Sequence, residues 1–138
     1  LVAARMHLPM QYVRKKPKGF GRGEQIEGLL VPGQRVLLVE DLATDGKSKV
    51  NFIKALREAD GICEHCFVIF FYDIYPQTKK IMGDLGVTLH ALTTWKDVLS
   101  VAKTSGKFDP KMLAEVEKFI GDSAGWSKAH GGAAEAAE

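Results

Sequence analysis

The sequence predicts an α/β fold with a Rossmann-like, mostly parallel sheet flanked by helices. One apolar run, Val36–Val39, has the length and branching of a strand that is buried on both faces, as in parallel sheets. A second apolar run, Phe67–Phe71, is predicted to be the buried part of the next strand. Between these runs, apolar residues recur at helical spacing, at Val50, Ile53, Leu56 and Ala59. A strand, a helix and a second strand in this order form one right-handed βαβ unit.

The segments before and inside this unit are marked by apolar spacing and turn residues. We expect the end of a helix and two short strands, at Leu1–Met6, Met10–Val13 and Glu24–Val31. Pro32-Gly33 then predicts a tight turn into the central strand. After the central strand, Ser48 is predicted to cap the helix of the unit, and Gly61 to end it.

After the helix of the βαβ unit, strand and helix patterns continue to alternate along the chain. Pro76 suits a first helical turn, and Thr94 with Asp97 resembles a capping box. The predicted segments are a strand at Ile62–Tyr72, a helix from Pro76 to about Leu85, a strand at Val87–Leu92, a helix from Thr94 to about Lys103, and a last helix from Asp109.

Composition limits the class of protein. The chain has 138 residues, of which 46% are apolar and 26% are charged, which is ordinary for one globular domain. A formal net charge of +2 is too small to indicate nucleic acid as a partner, and no apolar run has the length of a membrane span. Leu1–Arg5 lacks the charged start and long apolar core of a signal peptide. We therefore expect a cytoplasmic protein.

The two ends of the chain differ from the middle. The chain opens without Met and directly in an apolar segment, so we expect that sequence upstream of Leu1 is missing. Residues 127–138 are rich in Ala, Gly and Glu, and we expect them to be a low-complexity, disordered tail. The predicted domain is therefore residues 1–126, incomplete at its N-terminus.

The central strand ends in a pattern that indicates a binding site. It leads into two carboxylates, Glu40 and Asp41, and then into a loop of small and polar residues, Leu42–Ser48. Open α/β sheets bind ligands at the carboxyl ends of their strands, and N–H groups that converge at a helix N-terminus suit a phosphate. Neither G-x-x-x-x-G-K-[ST] nor G-x-G-x-x-G is present. The alternative interpretation is a buried strand that ends in a solvated acidic turn. In that case the strand, the acid pair and the loop would occur together only by chance.

A basic loop precedes this site in the sequence. Arg14–Gly23 contains five cations, three glycines and one proline, which exclude a stable helix or central strand. A charge run alone favours a solvated loop. About twenty residues before a predicted phosphate site, the same composition favours a glycine-hinged lid over a polyphosphate.

Cys63 and Cys66 form a C-x-x-C spacing around His65. Read alone, this spacing suggests metal or redox chemistry. Side chains three apart on a strand face opposite sides, and the sequence has no second ligand pair. We therefore favour two reduced cysteines of a cytosolic protein. A lone histidine on a strand, His90, is likewise interpreted as structural.

The strand, acid pair and loop resemble the ribose-phosphate-binding signature of the type I phosphoribosyltransferases. Two positions depart from that signature: Ala43 replaces a larger aliphatic residue, and Asp45 replaces a small or hydroxyl residue. The basic loop narrows the resemblance to the orotate phosphoribosyltransferases, whose lid motif is matched by Arg14, Lys15, Lys18 and Gly21.

The resemblance implies a type I phosphoribosyltransferase-like core and transfer of phosphoribose from 5-phosphoribosyl diphosphate (PRPP) to orotate, in pyrimidine biosynthesis. The products would be orotidine 5′-monophosphate and pyrophosphate. It implies catalytic roles for Lys18, Asp41 and Glu40, and orotate contact by Thr44. It also implies Mg²⁺ carried by PRPP with no ligand from the protein, and a homodimer in which the basic loop reaches the neighbouring active site. The implied PRPP-binding residues are Arg14, Lys15, Lys18, Glu40, Asp41, Leu42, Ala43, Thr44, Asp45, Gly46, Lys47 and Ser48.

The sequence alone does not identify the base that would accept the phosphoribose. Phe20 stands where the orotate family has His, and no arginine follows Phe71, where that family has the arginine that contacts the pyrimidine. Tyr72, Asp73 and Tyr75 occupy this place instead. One alternative is a non-catalytic, PRPP-binding regulatory module, and another is a purine-type phosphoribosyltransferase. The matched cations of the lid favour an enzyme of the orotate type.

Overall fold

The computed structural model describes residues 2–16 and 25–132. In these ranges the fold is α/β, as predicted. The elements in chain order are α1 (Val2–Arg5), β1 (Tyr12–Val13), β2 (Ile26–Glu27), β3 (Arg35–Ala43), α2 (Lys47–Glu58), β4 (Ile62–Phe71), α3 (Pro76–Asp84), β5 (Thr88–Thr94), α4 (Trp95–Ser105), α5 (Pro110–Gly121) and α6 (Ser123–Ala129).

The described strands form two sheets. β3, β4 and β5 make a parallel sheet in that order, and β1 and β2 make a small antiparallel ribbon. Helices α2 and α3 are the two crossovers of the parallel sheet, as the alternation of apolar patterns predicted. The hydrophobic core lies where α2 and α3 meet the sheet, and it includes Leu38, Phe52, Ile53, Leu56, Val68 and Met82.

The prediction that the central strand is buried on both faces is wrong for the described chain. Leu38 is only 7% exposed, whereas its neighbours Leu37 and Val39 are 55% and 50% exposed. On the neighbouring strands, Ile69 and Leu92 are 54% and 69% exposed. Branched apolar residues favour a strand, but they do not indicate which face the described helices cover.

Two predicted helix starts have different outcomes. α4 begins with the expected capping box: Thr94 N–H donates to Asp97 Oδ2 at 2.8 Å, and Asp97 N–H donates to Thr94 Oγ1 at 3.3 Å. The Thr94 hydroxyl also donates to Asp97 Oδ2, at 2.7 Å. The hydrogen bonds from this hydroxyl and from Thr94 N–H hold the pKa of the Asp97 carboxyl below its ordinary value. The predicted cap of α2 is wrong, because Ser48 lies inside the helix and Gly46 occupies the N-cap position with φ of 84°.

A sixth helix follows α5, which we expected to be the last. Trp126 on α6 packs edge-on against Phe119 of α5 at 5.5 Å between ring centroids, and its Nε1–H donates to Glu115 at 3.2 Å. Hydrogen bonds from Lys118 and Trp126 lower the pKa of Glu115. α6 runs to Ala129, past the predicted domain boundary at residue 126, while the boundary itself stays a prediction.

Both cysteines of β4 lie in the core, contrary to the expectation that they face opposite sides. Cys63 pairs with Val36, but the next pair is Leu37 with His65, so one residue of β4 is unpaired in the register. This irregularity shifts the alternation, and the two side chains are 1% and 0% exposed as free thiols. Burial raises the pKa of Cys66 to about 12.

Candidate functional site

The acid pair lies inside β3 instead of following it. β3 continues to Ala43, which pairs with Phe71, while Glu40 pairs with Val68 of β4. Because successive side chains alternate along a strand, the two carboxylates face opposite sides of the sheet. Glu40 is partly buried on the α2 side, and Asp41 is exposed. Of the two carboxylates, Asp41 is the one open to a ligand.

A buried lysine, Lys49, holds Glu40. Lys49 lies on α2, is 2% exposed, and forms an ion pair with Glu40 Oε2. Its Nζ also donates to the carbonyl oxygen of Leu42 at 2.6 Å. Sequence reasoning missed this residue, although the signal was available. Positions 49, 52, 53 and 56 share one helix face, and the other three carry the core residues Phe52, Ile53 and Leu56.

The last two residues of β3 and the start of the loop after it are held through three successive carbonyl groups. Lys49 Nζ donates to the carbonyl of Leu42, Tyr72 N–H donates to that of Ala43 at 2.9 Å, and Thr78 Oγ1 donates to that of Thr44 at 2.8 Å. In a planar trans peptide the N–H points opposite to the carbonyl. The N–H groups of Thr44 and Asp45 therefore point away from the groups that hold these carbonyls, as an anion site requires.

The loop reaches α2 through Asp45 and Gly46. The carboxylate of Asp45 accepts from Lys47 N–H at 3.1 Å, so this departure from the family signature satisfies one N–H of the first helical turn. Gly46 has φ of 84°, and a Cβ at this position would lie 3.1 Å from Thr78 Cγ2. The positive φ and the close approach of α3 both favour glycine here.

The basic loop is described only in part. Arg14 forms an ion pair with Glu27 of β2, and its N–H donates to the carbonyl of Gln25 at 2.7 Å. Lys15 is exposed. Lys18, Phe20 and Gly21 lie outside the described residues, so the predicted lid stays a prediction.

Aromatic side chains cluster where the orotate signature has its arginine. Tyr72 and Tyr75 are nearly parallel, with ring centroids 6.5 Å apart, and Trp95 meets Tyr72 edge-on at 5.8 Å. Asp73 has φ of 50° and forms an ion pair with Lys79 at 2.7 Å. Because parallel strands end at one edge of a sheet, the cluster lies on the same edge as the loop after β3. In residues 2–16 and 25–132, no group of three or more His, Cys, Asp or Glu could hold a metal ion.

Comparison with known proteins places the chain by sequence. No family model matches it. It is 58% identical over 130 residues to the orotate phosphoribosyltransferase of Roseobacter denitrificans, and 55% identical over 130 residues to that of a Ruegeria species. Each match covers 94% of this chain and 58% of the relative. The chain thus spans less than two thirds of the length of the curated relatives it matches.

Solved structures agree with this placement. Leishmania donovani UMP synthase matches with a TM-score of 0.74 and 26% identity, over 87% of this chain and 25% of that one. The orotate phosphoribosyltransferase of Aeropyrum pernix matches with a TM-score of 0.64 and 30% identity, over 76% of this chain and 58% of that one. The parallel sheet with its acid pair and loop thus has the fold of the type I phosphoribosyltransferase core. Within that class, the chain's relatives are the orotate phosphoribosyltransferases, as the signature and the lid motif predicted.

None of the helices in residues 2–16 and 25–132 combines the length and the apolar character that crossing a membrane requires.

Proposed function

We propose that this chain carries out the orotate phosphoribosyltransferase reaction. Phosphoribose passes from PRPP to a ring nitrogen of orotate, the bond from the anomeric carbon to pyrophosphate breaks, and orotidine 5′-monophosphate forms on the route to UMP. The observation that carries this proposal is the conjunction of the β3–loop–α2 unit with 58% identity to a relative that bears this name.

The loop Leu42–Ser48 is the proposed site of the 5′-phosphate. The carbonyls of Leu42, Ala43 and Thr44 accept hydrogen bonds from other parts of the protein. The N–H groups of Thr44 and Asp45 therefore point away from those hydrogen-bond donors. The hydroxyls of Thr44 and Ser48 add further donors, and Lys47 adds a positive charge. Helix α2 starts at Lys47, so its positive dipole end favours the same anion.

Asp41 is the carboxylate that we assign to the ribose hydroxyls. It is exposed, whereas Glu40 is engaged by Lys49. A carboxylate at this place also stabilises the positive charge that develops at the anomeric carbon. Glu40, the preceding residue of β3, contributes a negative electrostatic potential that its ion pair with Lys49 partly offsets.

The leaving pyrophosphate is assigned to Arg14, Lys15 and Lys18, with Mg²⁺ carried by PRPP. A phosphate-bound Mg²⁺ needs few protein ligands. Closure of the loop over the donor would exclude water, which competes for the ribosyl cation. In the proposed homodimer, this loop serves the active site of the neighbouring subunit.

The aromatic cluster of Tyr72, Tyr75 and Trp95 is assigned to the planar base, together with Thr44. Flat aromatic rings stack on heterocycles and bury them at little entropic cost. The cluster lies at the sheet edge that also bears the loop. The backbone N–H of Tyr72 donates a hydrogen bond to the carbonyl of Ala43, the last residue of β3. Stacking would replace the missing arginine in fixing the ring plane.

The test is pyrophosphate release from PRPP and Mg²⁺ by this chain, with orotate and then with a panel of purines. The Roseobacter denitrificans relative serves as the positive control. Release with orotate alone is the expected result. Release with a purine alone would indicate a purine-type enzyme, and donor binding without release for any base would indicate a regulatory module.

A further inference from the structure

Lys49 is a charged residue in a position that the helix pattern reserves for an apolar one. It shares its face of α2 with Phe52, Ile53 and Leu56, and is as buried as they are, with 2% of its surface exposed. Desolvation of an ammonium group is costly, and a buried ion pair often stabilises a fold no more than well-packed apolar residues of the same volume. Stability alone is therefore a weak reason for a lysine here.

The ion pair and the hydrogen bonds of Lys49 belong to the unit that would bind the donor. Its Nζ pairs with Glu40 in β3, donates to the carbonyl of Leu42 at 2.6 Å, and lies 3.4 Å from Ser48 Oγ at the start of α2. One ammonium group thus joins the end of the acidic strand to the start of the helix, on the two sides of the loop. Leu42 is the residue between Asp41 and the segment whose N–H groups would receive the phosphate.

The charges around the loop also indicate that Lys49 serves the donor site. Residues 40–49 contain three carboxylates, Glu40, Asp41 and Asp45, and two cations, Lys47 and Lys49. Lys49 is the cation that contacts the buried carboxylate. Without it, Glu40 would add an uncompensated negative charge beside a site for a highly anionic donor, where repulsion falls only slowly with distance in a poorly solvated interior.

We propose that Lys49 is a positioning residue for the phosphoribosyl donor. It holds the Leu42 carbonyl and neutralises Glu40, so that Asp41 and the loop N–H groups keep their arrangement around the donor. Lys49 does not touch the reacting atoms. The inference rests on the proposed function, because it assigns the donor to this loop.

The test compares donor affinity in a cycle of variants: the wild type, Lys49→Met, Glu40→Gln and the double variant with both changes. Calorimetry measures the dissociation constants of PRPP and of ribose 5-phosphate without any base, and thermal unfolding is recorded for each variant. Met retains the apolar volume of the side chain and removes the donor group. The control is Lys103→Met on α4, because Lys103 also pairs with a carboxylate, Glu117, but at an exposed site.

We expect Lys49→Met to weaken the binding of both ligands at least tenfold, and Lys103→Met to leave it unchanged within twofold. In steady state, the KM for PRPP should rise while the KM for orotate stays the same, a selectivity that a purely structural role would not produce. Should Lys49→Met fail to fold, the double variant decides, since it leaves no unpaired buried carboxylate. It should bind at least fivefold more weakly than Glu40→Gln alone.

Equal donor affinity in the double variant and in Glu40→Gln would overturn the proposal, as would a wild type that binds neither ligand. Because affinity is measured without a base, a wild type that binds PRPP but releases no pyrophosphate with orotate would contradict the proposed function alone. The role of Lys49 would still be decided by the cycle.

Discussion

The hydroxyl of Thr78 donates a hydrogen bond of 2.8 Å to the carbonyl oxygen of Thr44, across 34 positions of sequence. Thr78 lies on α3 and is fully buried. The helix of the second crossover thus holds the loop that follows the first strand of the sheet. The shape of the candidate phosphate site depends on two consecutive βαβ units, and not on the loop sequence alone.

Thr78→Val removes this hydrogen bond and keeps the volume of the side chain. Leaving a partly buried carbonyl without its donor should lower the free energy of unfolding by about 1–3 kcal/mol. The loop should also bind PRPP several-fold more weakly, as measured by calorimetry. Thr104→Val is the control, because the hydroxyl of Thr104 donates to a carbonyl within its own exposed helix, at 3.2 Å. A Thr78→Val variant with wild-type affinity would contradict the role of this contact in positioning the loop.

Gly46→Ala should destabilise the protein more than Gly33→Ala. Both glycines have positive φ, 84° and 79°, so both substitutions cost about 1–2 kcal/mol in backbone conformation. A Cβ at Gly46 would also meet Thr78 Cγ2 at 3.1 Å, whereas nothing lies within 4 Å of one at Gly33. Denaturant unfolding of the two variants isolates the contact with α3. Equal losses in the free energy of unfolding of the two variants would mean that α3 accommodates the added methyl group without an energetic cost.

The fold class was predictable because β3 and β4 carry uninterrupted apolar runs, α2 carries a helical period, and the loop has a specific composition. The exposure of Leu37 and Val39 was not, because branched residues favour a strand whatever covers its faces. On the family resemblance, Glu40 was placed beside Asp41 among the residues that bind the donor. Its actual partner, Lys49, lies nine positions away and is brought to it by the turn into α2. The same limit applies to the cysteines, whose shared burial depends on an irregular register in β4.

Asp41→Asn should impair both donor affinity and turnover. The amide is isosteric, but it loses the negative charge that is proposed to stabilise the developing ribosyl cation, so kcat/KM for PRPP should fall by a factor of about 100 or more. Asp84→Asn is the control, since Asp84 is exposed on α3 and pairs with Lys80. Normal steady-state kinetics in Asp41→Asn would contradict the ribose assignment.

Lys18→Ala tests the predicted lid. A cation that stabilises the leaving pyrophosphate acts mainly in the transition state, so turnover should fall about 100-fold or more while PRPP binding survives. Lys16→Ala, two positions away in the same basic loop, is the matched control without an assigned contact. Unchanged turnover in Lys18→Ala would remove the lid hypothesis.

Cys66 should be unreactive in the folded protein. Burial raises its pKa from 9.0 to about 12, which lowers the thiolate fraction near neutral pH about 1000-fold relative to the ordinary thiol. Iodoacetamide labelling at pH 8, followed by mass spectrometry, should be slow in the native chain and rapid in denaturant. Because the folded pKa lies above the unfolded one, the stability linked to this thiol is complete below pH 9 and is lost between pH 9 and 12. Rapid labelling of Cys66 in the native state would contradict its placement in the core.

The most direct test of the central claim, that the loop after β3 holds the 5′-phosphate of the donor, is a titration of the ¹⁵N-labelled chain with ribose 5-phosphate. If this loop holds the 5′-phosphate, the backbone amide signals of residues 44–48 should shift saturably, with smaller shifts for Lys49 and Thr78. Inorganic phosphate should shift the same amides at higher concentration. Saturable binding that leaves residues 44–48 unchanged and shifts other amides instead would contradict the assignment of the 5′-phosphate to this loop.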